Sequence, residues 1–296
     1  SLAITSITFA GDGSAWATAH DGYLLHSEDG GATWRVALSG TDVAALSVGA
    51  IEKQVETLRT ALADASPETR EDTEWALDEA LFALEEAQLA VDEGMTTPLL
   101  KIWFAGDGSG YALGAYNVFL RTGDGGATWE SHSYRLVNPD KYHLYGITRS
   151  SAGTLLVAGE AGTLLRSLDN GATWERVVSP YQGSFFGAVA TSDGSLLIFG
   201  LRGNVFRSTD EGVSWIDIDT HDNRTLMCGT AGADGTVVLA GAAGAILHSS
   251  DSGTSFRVVS TEGNRVYSDV ITNPDGSILL VGFGGISVLT AEAGHD

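Results

Sequence analysis

Short apolar runs closed by glycine or aspartate set the rhythm of the chain. One unit shows it plainly. Leu155-Leu156-Val157-Ala158-Gly159 is a short strand, Glu160-Ala161-Gly162 a turn, and Thr163-Leu164-Leu165-Arg166-Ser167 a second strand. Asp169-Asn170-Gly171 turns the chain again into Thr173–Val178, and Tyr145-Gly146-Ile147-Thr148 upstream supplies one more strand. Such punctuation predicts four short strands per unit. Other stretches follow suit: Ile102-Trp103-Phe104 with Tyr111-Ala112-Leu113, Ala188-Val189-Ala190 with Leu196–Phe199, Val237–Ala240, and Ile278–Val281.

One interval, residues 46–97, breaks this rhythm. It lacks the repeated Gly and Asp turns of the other units and has a period near 3.5. Ile51, Val55, Leu58 and Leu62 mark a first helix. Ser66-Pro67-Glu68 predicts a second helix start, with Ser66 as N-cap and Pro67 in the first turn. That helix is expected from about Glu68 to Glu93, stopping at Gly94, roughly 39 Å long. Leu77, Leu81, Leu84 and Val91 should face the first helix, while Trp75, Phe82 and Leu89, seven apart, form another stripe. Two readings of that stripe stand: it folds back and is buried, or the hairpin projects and docks a partner.

The units are copies. Ser27-Glu28-Asp29-Gly30-Gly31-Ala32-Thr33-Trp34 recurs at 122–129, 167–174 and 208–215, and more weakly at 249–256. A degenerate sixth copy opens at 290–294. Trp174 and Trp215 stand 41 residues apart, as do Trp215 and Phe256; Trp34 to Trp129 is 95, the excess being the helical insertion. Repetition at this period predicts an all-β fold, a β-propeller of four-stranded blades with Asp-box turns, a single domain over 1–296 carrying an inserted helical hairpin. Asp29, Asp124, Asp169, Asp210 and Asp251 are expected to accept backbone N–H groups across their own turns. Trp34, Trp129, Trp174 and Trp215 are expected to pack between sheets. One carboxylate per blade cannot build a calcium cage, so no metal is expected.

Composition narrows the function. The formal charge is −22, which repels phosphate backbones and argues against nucleic acid while suiting a basic partner surface. The single cysteine, Cys228, allows no internal disulfide and reads as an inert strand residue. No apolar run is long enough to span a membrane. The chain opens inside a repeat, so an export signal and a closing strand or upstream repeat are expected to lie outside it.

In such a blade the second-to-third-strand loops and the blade-to-blade connections open on the side away from the Asp boxes. They hold Tyr116, His143, Tyr181, Phe185, Phe186, Arg202, Arg224 and Arg265. Aromatic and arginine side chains dominate protein interfaces, so these, with Trp75, Phe82 and Leu89 on the hairpin, are the candidate contact residues. Arg121, Arg166 and Arg207 each precede a box, and their regularity predicts a structural role between blades. Asp boxes also occur in sialidases, but the arginine motif opening those catalytic domains is absent, and nothing in the sequence pairs Glu160 with Asp269 as a carboxylate couple. Neither a hydrolase motif nor a cofactor loop is present.

Longer stretches carry a resemblance: Pro98–Phe104, Gly114-Ala115-Tyr116, His143-Leu144-Tyr145, Gly159–Gly162, Ser179–Gly187 and Phe199–Asn204. Through these the chain resembles the Asp-box (BNR) propellers of the photosystem II stability/assembly factor family, in the bacterial branch found with RND/MMPL-type exporters. The resemblance implies a non-catalytic, exported, periplasmic scaffold without a cofactor that binds an integral membrane protein complex, an RND-type transporter. It also implies seven blades where this chain shows six boxes. The alternatives are a sialidase-like glycosidase or carbohydrate-binding propeller, and a module that self-associates through the hairpin.

Overall fold

A computed structural model of the chain describes residues 2–10, 13–259, 264–272, 277–282 and 285–289. Two compact units result, Ser1–Arg135 and Leu136–Asp296.

The first unit opens with β1 (Ile4–Phe9), β2 (Ala15–Ala19), β3 (Leu24–Ser27) and β4 (Arg35–Leu38), antiparallel in chain order. Two helices follow, α1 (Gly40–Ala63) and α2 (Arg70–Asp92). A second four-stranded sheet contains β5 (Leu99–Phe104), β6 (Gly110–Gly114), β7 (Phe119–Thr122) and β8 (Glu130–Ser131).

The second unit repeats the pattern. Its first sheet is β9 (Leu144–Arg149), β10 (Leu155–Gly159), β11 (Leu164–Ser167) and β12 (Glu175–Arg176). The next is β13 (Phe185–Ala190), β14 (Leu196–Gly200), β15 (Val205–Ser208) and β16 (Ile216–Ile218). Then come β17 (Leu226–Ala231), β18 (Val237–Gly241), β19 (Ile246–Ser249) and β20 (Arg257–Val258). Among the described residues the last sheet has three strands, β21 (Tyr267–Thr272), β22 (Ile278–Gly282) and β23 (Gly285–Leu289). The degenerate copy at 290–294 lies outside the described residues. Consecutive four-stranded antiparallel sheets of this kind are consistent with a β-propeller.

Sheet packing explains the sequence rhythm. The second strand is buried at every position in the first five sheets. A strand covered on both faces reads as an apolar run rather than an alternation, as Leu-Leu-Val-Ala-Gly and Val-Val-Leu-Ala-Gly do. In β6, β10, β14 and β18 its last residue is glycine for a steric reason: a Cβ at Gly159 would stand 2.4 Å from the His143 carbonyl oxygen, and one at Gly241 2.0 Å from that of Thr225. In the first unit Trp16, Leu24, Val43, Leu99, Ile102 and Trp129 form the core. In the second, Leu197, Phe199, Val237 and Leu239 bind one pair of sheets, and Leu156, Phe185, Ile198 and Phe206 another. Cys228 is buried on β17, in line with an inert strand residue.

The hairpin is present but begins earlier than residue 46. Ser39 caps α1: its hydroxyl accepts from the Asp42 N–H, while the Asp42 carboxylate accepts from the Ser39 N–H at 2.8 Å. This reciprocal pair fixes the start at Gly40. The start of α2 also differs. Ser66-Pro67-Glu68 forms a turn in which the N–H groups of Thr69 and Arg70 donate to the Ser66 carbonyl, and the helix begins at Arg70 without a side-chain cap. Gly94 ends the segment with φ +67°, as expected. α1 packs on α2 and lies against β8. Trp75, Phe82 and Leu89 are 66%, 64% and 56% exposed. The fold-back reading of this stripe is therefore overturned: the face of α2 turned to α1 is filled by Leu77, Ala80, Leu81 and Leu84, leaving the opposite face uncovered.

Candidate functional site

The repeated Asp turns are built as closed hydrogen-bond loops. Asp29 Oδ1 accepts from the Thr33 N–H and the Ser27 hydroxyl, both at 2.8 Å, and Oδ2 accepts from the Thr33 hydroxyl at 2.6 Å. Asp124, Asp169, Asp210 and Asp251 repeat the arrangement. For Asp29, Asp124 and Asp169 the following threonine is the main reason the pKa falls to about 2; for Asp210 it is Ser214. Asp251 also falls to about 2, burial opposing and the hydroxyls of Ser255 and Ser249 prevailing. Carboxylates that accept a backbone N–H and two hydroxyls within their own turn act to hold that turn.

Three of the aromatics that close these turns lie on the sheet before them. Trp129 meets Trp16 of β2 at 5.8 Å, Trp215 packs into the cluster of Leu156, and Phe256 into that of Leu197. Trp174 is buried as well. Trp34 departs from the expectation: it is exposed, its indole N–H donating to the Gly31 carbonyl.

The ends of the sheets opposite those turns are different. Each first strand carries one extra residue. Leu144 opposes Gly159 and Gly146 opposes Ala158, leaving Tyr145 between them. In the second unit the equivalent residues are Phe186, Met227 and Ser268; in the first they are Thr5 and Leu100. A bulge leaves its residue unpaired and re-aims the side chain. Since β13 lies against both β9 and β17, and β17 against β21, the four bulges of the second unit occupy matching positions on neighbouring strands. Tyr145, Phe186 and Met227 are half-buried and Ser268 is exposed. The rings of Tyr145 and Phe186 meet at 5.0 Å, and His143 sits edge-on to Tyr145 at 6.2 Å. Glu160 Oε2 accepts from the His143 N–H at 3.2 Å and lies 3.7 Å from its Nδ1. Burial, then the negative charge of Glu160, pushes the Tyr145 phenol above its ordinary pKa, so it stays a neutral donor.

Beside the bulges run the turns Glu160–Gly162, Leu201–Gly203 and Ala242–Gly244. Their middle residues Ala161, Arg202 and Ala243 have φ of 50°, 60° and 52°. A side chain in this left-handed region costs roughly 1–2 kcal/mol, a cost concentrated at functional turns. The glycine that follows is forced by proximity, a Cβ on Gly203 falling 2.0 Å from the Asp222 carbonyl oxygen. In the first unit Tyr116 takes the same place with φ 52° and is 65% exposed.

The candidate contact residues thus divide. His143, Phe186 and Arg202 reach the surface of the second unit; Tyr116 does so on the first. Phe185 does not. It is fully buried between Tyr181 and Phe206, because the bulge at Phe186 turns it to the core. Tyr181 is half-buried, stacked on Phe206. Arg224 is committed to the fold, its guanidinium held by Asp222 at 2.5 Å and donating to the Ala243 carbonyl at 3.0 Å. Arg265 donates to the Ser287 hydroxyl. Sequence reasoning missed Tyr145 and Met227, whose signal is only their register in the repeat. The spacing Gly-x-x-Gly at 159–162, 200–203 and 241–244 marks the left-handed turns.

The family described as "Photosynthesis system II assembly factor YCF48" has a model that matches residues 82–222. This stretch is similar to YCF48. Two YCF48 structures share the fold. The one described as "YCF48 bound to D1 peptide" is 16% identical with TM-score 0.59, covering 97% of this chain and 77% of that one. YCF48 from Cyanidioschyzon merolae is 12% identical with TM-score 0.57, covering 97% and 94%. A GH74 enzyme from Niastella koreensis is 18% identical with TM-score 0.50, covering 67% and 30%. No protein of curated function matches. At these identities the likeness establishes the fold, which binding proteins and a glycosidase share.

Proposed function

We propose that the chain is a non-catalytic scaffold that binds an extended segment of a membrane protein complex, seated along the bulges of the second unit. The observation that carries this reading is the aromatic contact between Tyr145 and Phe186 on neighbouring bulges, flanked by His143 and the strained, exposed Arg202. Rigid aromatics beside an arginine are what an interface hot spot needs. The match to the YCF48 family over residues 82–222 supports it, since a YCF48 structure is described as bound to a D1 peptide. We further propose that the partner is an RND/MMPL-type transporter and that the protein works after export, in the periplasm. The support here is the likeness of Pro98–Phe104, Ser179–Gly187 and Phe199–Asn204 to that branch.

Affinity capture from native membranes with mass spectrometry tests the proposal. The expected result is an integral membrane transporter, lost from Phe186→Ser and Arg202→Glu chains. Recovery of no integral membrane protein would sink the function, and equal recovery by the variants would sink the site.

A further inference from the structure

The uncovered face of α2 carries a second, independent pattern. Trp75, Phe82 and Leu89 recur every seven residues and each is more than half exposed. Each is followed at the third and fourth positions by a pair of acids: Asp78-Glu79 after Trp75, Glu85-Glu86 after Phe82, Asp92-Glu93 after Leu89. All six acids are exposed. Positions three and four apart are neighbours on a helix surface, so the pairs border the apolar stripe along its length. Arg70 is the one cation in α2, and it pairs with Glu74 at 2.9 Å, off the stripe.

We infer that this face docks a cationic amphipathic helix of a partner protein. A seven-residue apolar repeat supplies one of the two rows of a helix–helix seam, and here the acid pairs occupy the other. The bordering acids decide which helix. Lysines or arginines beside the partner's apolar row would meet them, whereas a second copy of α2 would set acid pair against acid pair, and an anionic lipid surface would be repelled. α1 already covers the other side, so the stripe is presented on a braced helix.

The probe is a labelled model helix with leucines in a single stripe and lysines elsewhere, titrated into the full chain and followed by fluorescence anisotropy. A glutamate counterpart serves as control. The expected result is saturable binding to the lysine helix, weakened at least about tenfold by the triple change Trp75→Gln, Phe82→Gln, Leu89→Gln, which keeps every charge in place. Phe82→Gln alone should weaken it in the same direction, with helicity by circular dichroism unchanged. The Phe186→Ser chain should bind the probe as tightly as the parent, separating this surface from the bulges. Equal binding by the triple variant, absence of binding, or equal binding of the glutamate helix would overturn the inference. So would a parent dimer in sedimentation that the triple variant loses.

Discussion

The guanidinium of Arg166 donates through Nη1 to the backbone carbonyl of Glu211, 3.0 Å away in the Asp turn of the following repeat. Arg207 does the same to the carbonyl of Ser252, at 3.2 Å. Both carbonyls belong to residues with left-handed φ, 59° and 56°. Arg166 and Arg207 are thus clamps between one sheet and the next turn, anchored on their own side by Glu175 and Asp193, the structural role their regular placement predicts; the Nε of Arg121, the third residue of that row, is buried without a hydrogen-bond partner. Arg166→Ala should cost about 1–2 kcal/mol in urea unfolding. Arg166→Lys should recover little of it, since one ammonium cannot reach carbonyl and carboxylate in the same fork.

Acid sensitivity follows from the Asp turns. Their folded pKa of about 2 lies below the ordinary 3.8. A depressed folded pKa means the stabilisation is present above pH 3.8 and is lost as pH falls toward 2. Unfolding monitored by tryptophan fluorescence should therefore steepen across that window. Asp169→Asn should be less stable at neutral pH and show a shallower acid slope. An unchanged slope would contradict the role given to these carboxylates.

Gly203 tests the loop geometry. Its φ is +72° and a Cβ there would collide with the Asp222 carbonyl. Gly203→Ala should destabilise by more than about 1 kcal/mol, read by thermal denaturation. Arg202→Gly, one residue earlier, should leave stability equal or slightly higher by relieving the left-handed strain, while lowering partner capture.

Phe185 and Phe186 make a paired test. Phe185→Ala should cost about 3–5 kcal/mol because the ring is fully buried. Phe186→Ser should cost far less and act on binding. The opposite ranking would place the core on the wrong side of β13.

These adjacent phenylalanines also mark where the sequence stops being informative. Turn punctuation by Gly and Asp made the sheets legible, and the repeat spacing exposed the helical insertion. A bulge adds no residue type of its own, so which of two neighbouring phenylalanines faces solvent depends on a register visible only in three dimensions. Arg224 is a related case: its pairing with Asp222 is a turn geometry, whereas the sequence shows only two charges near each other. The capping pair Ser39 and Asp42, by contrast, was present in the sequence and would have moved the hairpin start to Gly40.

The central claim is that the partner is read by the bulge ends of the sheets and not by the Asp turns. Site-specific photocrosslinking tests it most directly, with the photoreactive residue placed at Arg202 or at Val213, an exposed residue of the Asp210 turn. In native membranes the account predicts an integral membrane protein crosslinked from position 202 and none from 213. Crosslinks from 213 alone, or equally from both, would contradict it.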